Sequence, residues 1–415
     1  MNNHRIFFDK ETKSDFSKII NKNYYHEADL EECSITENGF ILPTVKKFDK
    51  KNYVYFEGGV VDKNKKFIKN SQFLRYENNG SLKKAYDFFQ DKADFIDRDV
   101  MYAGMLINHF GHFLTESLSR IWYWCENSDK DMDIAFLMPK KQAVFPQFWE
   151  FMDLLGIDRN KIHIIRKVTK FNKIYVPQQA HILNKSFNKK FLVPYKYISS
   201  KLSESAKEKY YISRRKFKGG TLCMGEELLE NLYKNNGFKI VYPEKLSLKE
   251  QVMIMKSASE LAGVSGTGMH MALFADEGIN ITILERSDSP IKEQVIINQA
   301  LKANAYYVGV NVNPLPTNHS IGPTILTISD SMVEYCNKKN FRIDQRFINY
   351  VKPKYGKKFI KLWLKYYSQP DNNKYFEKDA PLIAKRLMFI SNAFIPIKKL
   401  IKQKIKSLTS RRTKL

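Results

Sequence analysis

The sequence predicts an α/β protein made of two strand–helix units and a basic helical tail. Three observations predict it. Apolar strands and amphipathic helices alternate from Asp133 to Val176 and again from Lys209 to Val310, a rhythm that builds parallel sheets covered by helices. Inside the second run, Gly263, Gly266 and Gly268 form a glycine-rich turn between a strand and a helix start. From Lys352 onward, 18 Lys and Arg accompany only 3 acids, so +15 of the net +25 charge sits in that last stretch. The expected units are 1–195, an α/β unit with an irregular β-rich start, then 196–350, a second α/β unit, and 351–415, the tail.

Composition excludes several classes. Cys33, Cys125, Cys223 and Cys336 are scattered with no Cys-x-x-Cys pair, which fits neither a zinc site nor a disulfide framework and points to reduced thiols in a cytosol. The start, MNNHRIFFDKETKSD, turns polar too soon for a signal peptide. No apolar run approaches the roughly 20 residues of a membrane span.

Residues 1 to about 100 mix aromatic strands (Asn52–Phe56, Lys66–Ile68) with turns such as Glu77-Asn-Asn-Gly80. The next informative stretch is HFGHFLTESLSRIWYWCE, His109 to Glu126. Read as an α-helix, it lines up His109, His112, Glu116 and Arg120 as one polar stripe on an otherwise apolar helix. Such groups need partners or a cleft to line. The structural alternative is a buried Glu116–Arg120 pair. The functional reading is a cleft-lining helix carrying an acid/base group, Glu116 first and His112 second. The histidines lack a convincing third ligand for a metal.

Strand Asp133–Met138, helix Phe145–Leu155 and strands Lys161–Ile165 and Lys173–Val176 follow, then a connection from His181 to Tyr195 and a polar helix from Ser199 to Lys209. Strand Lys209–Ser213 ends in Arg214 and Arg215, on the side where open α/β sheets bind ligands. There a guanidinium can grip a diphosphate, although two solvated arginines are the plain alternative. After helix Gly225–Asn235 and strand Phe238–Val241, Ser247 and Glu250 have capping-box spacing for helix Leu248–Lys256.

Strand Leu261–Val264 then leads through Ser265, Gly266, Thr267 and Gly268 into a helix, Met269–Ala275. Bare amides and a helix N-terminus there would suit phosphate; a tight turn without ligand is the alternative. His270 either contacts the ligand or caps the backbone. Strand Ile281–Leu284 closes on Glu285, placed to take ribose hydroxyls. Helix Ile291–Ala303 and strand Ala305–Val310 complete the unit.

Three blocks, in order, resemble glycosyltransferase family 61: Asn108–Arg120, Ile212-Ser-Arg-Arg215, and Leu246–Gln251 leading into Gly263–Gly268 and Glu285. The chain departs from the family at Ser265, where members usually carry His and where His270 is the expected substitute. It departs again at Met224-Gly225-Glu226, which keeps only the acid of an Asn-Glu pair. The resemblance implies a GT-B fold, with two Rossmann-like domains facing across a cleft and the donor held by the second. It implies an inverting transferase moving a sugar from a nucleotide-sugar, with UDP-sugars the expected class, to a glycan or lipid-linked glycan in capsule or other surface-polysaccharide synthesis. Glu116, His112, His109 and Arg120 would form the catalytic group. Arg214, Arg215, Ser265, Gly266, Thr267, Gly268, His270 and Glu285 would hold the donor.

A helix dipole and arginines can do the electrostatic work of holding the departing diphosphate, so no obligatory metal is expected. A sugar-phosphate or pyruvyl transferase on the same fold is the first alternative. A nucleic-acid or polyanion binder is the second, disfavoured because the basic residues load the tail and not aromatic-rich surfaces. From Ile383 to Leu408 apolar residues recur at helical steps among lysines, as in a basic helix lying on an anionic membrane. That places the enzyme on the inner face of the cytoplasmic membrane, with no nucleic-acid partner.

Overall fold

The computed structural model describes residues 4–8, 16–26, 33–50, 52–76, 79–139, 142–203, 205–217, 222–287, 289–313 and 323–367. The tail from residue 368 onward lies outside the described residues, and with it the expected membrane stripe. Among the described residues no helix is long and apolar enough to cross a membrane.

The described chain is a mixed α/β structure with two large sheets. In the second sheet, strands Glu208–Ile212, Ala258–Val264, Asn280–Glu285 and Asn304–Gly309 run parallel, each paired with the next, and Lys239–Val241 forms one edge. The two central strands, Ala258–Val264 and Asn280–Glu285, are buried on both faces and read as largely apolar runs, as parallel strands do. The Ser247 capping box is formed: Glu250 N–H donates to Ser247 Oγ (3.3 Å) and Ser247 N–H to Glu250 Oε2 (2.8 Å).

The other edge is a departure. His4–Phe7, expected in the first unit, pairs parallel with Asn304–Gly309, His4 opposite Ala305. Four residues with no neighbouring turn signal carry too little pattern to assign, and the edge vacancy beside Asn304–Gly309 decides their place.

The first sheet is mixed, not parallel throughout. Asp94–Met105, Asp133–Leu137, Ile162–Ile165 and Thr169–Pro177 form the parallel part. Cys33–Glu37 and Phe40–Phe48 add to it antiparallel. The expected polar helix 199–209 is replaced by Val193–Ser200. Pro194 starts it and Tyr195 and Ile198 are buried, whereas the segment after it has no apolar face to bury.

The helices between the sheets share one buried cluster. Phe113 packs edge-on against Phe145, Phe148 and Phe151, and Phe151 meets Tyr195 and Phe274. Each such fully buried ring contributes about 1.5–3 kcal/mol through area alone. The cluster seats the segment after Asp94–Met105 against the glycine turn of the second sheet.

Candidate functional site

Where an α-helix was expected, residues 110–126 form three pieces: an α turn Phe110–His112, a π turn Phe113–Ser117 and a helix Ile121–Glu126. A π turn frees backbone carbonyls that must find donors. Here Tyr195 Oη donates to Leu114 O, and Ser119 Oγ donates to Glu116 O at 2.7 Å. The wider turn brings Glu116 directly under His112, with His112 Nδ1 and Glu116 Oε2 2.6 Å apart.

Glu116 does not pair with Arg120. Its carboxylate, fully enclosed, is held bidentately by Arg75, Nε to Oε1 at 2.7 Å and Nη2 to Oε2 at 2.8 Å. Arg75 passes over Gly80, whose φ of +75° and missing side chain leave room; a Cβ there would lie 2.7 Å from Arg75 Nη1. Arg120 is wholly buried and donates to the carbonyls of Pro177 (3.0 Å), Asn70 (3.0 Å) and Gln72. It ties neighbouring segments together behind the site and forms part of a cavity wall there. Burial lowers its guanidinium to about 10.

The His112 side chain is 38% exposed. His109 stands beside it, ring centroids 4.9 Å apart. Burial, then the neighbouring His112, pushes the His109 imidazole below its usual value. A partly exposed imidazole with Nδ1 against a buried carboxylate has the geometry of an oriented general base.

This turn meets the second sheet. A Cβ on Gly111 would sit 3.1 Å from Thr267 Oγ1. Thr267–His270 is one α turn, continuing as a 3-10 turn Met271–Phe274, shorter than expected. So short a helix has little dipole, and anion affinity must come from side chains.

The carboxyl ends of two parallel strands supply them. The Arg214 guanidinium lies on Gly266, where a Cβ would be 2.2 Å from Nη1 and φ is +152°. Its backbone N–H donates to Glu226 Oε1 at 2.8 Å. Arg286, which the sequence reading passed over, donates through Nε to Ser265 O at 2.8 Å. Burial, with Arg214 adding its charge, lowers the Arg286 guanidinium. Arg215 instead turns to Glu230, Nη1 to Oε2 at 3.1 Å.

His270 Nδ1 bonds Gln294 Oε1 at 2.9 Å, and a buried chain continues to Asn298 (2.9 Å) and Tyr307 (2.8 Å). Burial lowers its imidazole, with His112 and His109 adding. His181, also unforeseen, stands 2.7 Å from Glu293 but off hydrogen-bond angle. Burial opposes ionisation of Glu293, yet His181 outweighs it, and the carboxyl sits below its usual value.

Glu285 is enclosed and not presented to the site. Its carboxylate oxygens have no hydrogen-bond partner among the described residues, and burial pushes the carboxyl to about 8 from 4.5. Glu226 is likewise raised to about 7 by burial. Such carboxyls stay protonated in the folded chain where the unfolded chain has released its protons, so stability falls as pH rises. The contribution of Glu285 is whole below about 4.5 and lost by about 8. We expect thermal stability to decline over that window, and to decline less in Glu285→Gln; equal slopes in the two proteins would show an ionised carboxyl.

Among the described residues no three His, Cys, Asp or Glu side chains are arranged to hold a metal ion.

Two α/β sheets, with a histidine–carboxylate pair from one meeting an arginine-flanked glycine turn from the other, suit transfer of a group from a phosphorylated donor. The family comparison agrees, and it marks the protein as a glycosyltransferase. A family model described as Glycosyltransferase 61 matches residues 110–298, which therefore form a domain of that family. No curated protein matches the chain. Among solved structures it is similar to the crystal structure of the bacterial iron-containing dodecameric glycosyltransferase TibC from enterotoxigenic E. coli H10407. Identity is 12%, over 64% of this chain and 80% of that one, with a TM-score of 0.22, at which the likeness carries no argument.

Proposed function

We propose that the enzyme moves a sugar, with inversion, from a nucleotide-sugar of the UDP class to a hydroxyl of a glycan acceptor. The observation carrying this reading is the meeting of the His112–Glu116–Arg75 array with the Thr267 turn and its arginines. In this reading His112, not Glu116, is the base. Nε2 takes the acceptor hydroxyl's proton as that oxygen attacks the anomeric carbon from the face opposite the departing diphosphate. Glu116, locked by Arg75, orients the imidazole and stabilises its charge. Arg214 and Arg286 hold the developing negative charge on the leaving diphosphate, with the Gly266–Gly268 amides beside them. The two sheets serve as the halves of a GT-B-like enzyme, and no metal ion is required of it. Nucleotide release measured over a panel of UDP-, GDP-, CMP- and dTDP-sugars tests the reading, with EDTA expected to leave turnover intact.

Arg214→Ala should weaken nucleoside-diphosphate binding by about 1.5–3 kcal/mol, the usual contribution of a hydrogen bond to a charged group. Calorimetry showing unchanged UDP affinity would put the donor elsewhere.

In the same reading the enzyme works on the inner face of the cytoplasmic membrane, held by its lysine-rich end beside a lipid-linked acceptor of capsule or other surface-polysaccharide synthesis. Helix Pro353–Tyr367 supports this: Phe359, Ile360 and Trp363 are buried while Lys354, Lys357, Lys358 and Lys361 are exposed. Full-length protein should sediment with anionic liposomes and leave them as salt rises. Removal of the residues from Pro396 onward should abolish sedimentation without altering donor binding.

A further inference from the structure

A cavity of about 270 Å³ lies behind the π turn, lined only by residues between His26 and Asn188. Leu74 is part of its wall, clamped by Gln179, which accepts from Leu74 N–H (2.9 Å) and donates to Leu74 O (3.2 Å). Arg75, the next residue, carries Glu116. The cavity wall is therefore continuous in sequence with the residue that holds the partner of the proposed base.

The lining is positively charged and uncompensated. Lys69 and Lys185 stand on it, neither in an ion pair among the described residues, and no described carboxylate lines it. Arg120 stands on it too, its guanidinium donating to backbone carbonyls and lying over the Tyr102 ring, with no described carboxylate against it. A concave site lined by one sign of charge over low-dielectric walls concentrates ions of the other sign. Its neutral groups suit a sugar: Gln178 Oε1 is buried without a hydrogen-bond partner among the described residues, and Phe187 supplies an apolar wall. An unsatisfied buried acceptor beside a cavity is a place for a ligand hydroxyl.

We propose that this cavity binds an anionic sugar of the acceptor, one bearing a carboxylate or a phosphate, with Lys69 and Lys185 reading the charge and Gln178 a hydroxyl. The inference rests on the transferase reading above and names its acceptor class.

Saturation-transfer NMR on the full-length protein with glucuronate, glucose 1-phosphate and glucose tests it. Both anionic sugars should bind saturably and compete with each other, and glucose at equal concentration should not. Tighter glucuronate binding identifies an acidic sugar, tighter glucose 1-phosphate binding a phosphorylated one. Lys69→Ala with Lys185→Ala should weaken either by about tenfold or more, as expected for lost charge-assisted bonds, and leave UDP affinity unchanged. The proposal is overturned if neither anionic sugar binds, if glucose binds as well, or if binding survives the double substitution. Failure of UDP to bind the unsubstituted protein would count against the donor site, a separate result.

Discussion

His112→Ala is expected to lower kcat by about 10²–10⁴-fold, the usual contribution of a positioned acid–base group, with donor affinity unchanged. The His112 ring is 38% exposed, so its loss leaves no large cavity and the fold survives. The donor contacts belong to the second sheet, so the effect falls on turnover and not on nucleotide binding. Glu116→Gln tests the order of the pair: if Glu116 orients His112, the variant loses turnover and its pH–rate profile shifts, because the imidazolium formed in the reaction loses its counter-charge. A folded His112→Ala enzyme with near-normal kcat, beside an inactive Glu116→Gln, would return the role of base to Glu116.

Arg75→Ala should destabilise the protein by about 3–5 kcal/mol, because breaking a buried pair leaves a carboxylate without its counter-charge. Glu116 has no exposed side-chain surface, and Arg75 supplies two of the bonds its oxygens accept. Combining Arg75→Ala with Glu116→Gln removes the stranded charge and should restore most of the loss. Urea unfolding of the two variants measures both. Equal stability of Arg75→Ala and the parent would mean that the carboxylate is satisfied elsewhere.

Apart from the edge strand His4–Phe7, the second sheet was legible strand by strand, because its strands carry apolar runs between turn residues and the Ser247–Glu250 cap marks a helix start. The first site segment was legible in composition but not in register. Helical periodicity aligned Glu116 with Arg120, and a single π turn rotated them apart. No local pattern announces Arg75, which lies 41 positions from its partner. Arg286 was within reach: neighbouring strand residues face opposite ways, so an enclosed Glu285 implies that the next side chain is directed elsewhere. The strand Asp94–Met105 escaped because Asp94, Asp97, Arg98 and Asp99 break its apolar run, although their side chains lie on the sheet's more open end.

The His4–Phe7 edge strand bears on how the protein is made. Its partner, Asn304–Gly309, is roughly three hundred positions later, and contacts of such long sequence separation slow folding because a large loop must close before they form. During synthesis the second sheet can assemble its inner strands as they emerge, while His4–Phe7 waits, unpaired, until Asn304–Gly309 has been made. Closing that edge is then a late step, and until it closes the nascent chain carries an open sheet border that neighbouring chains on the same message could fill.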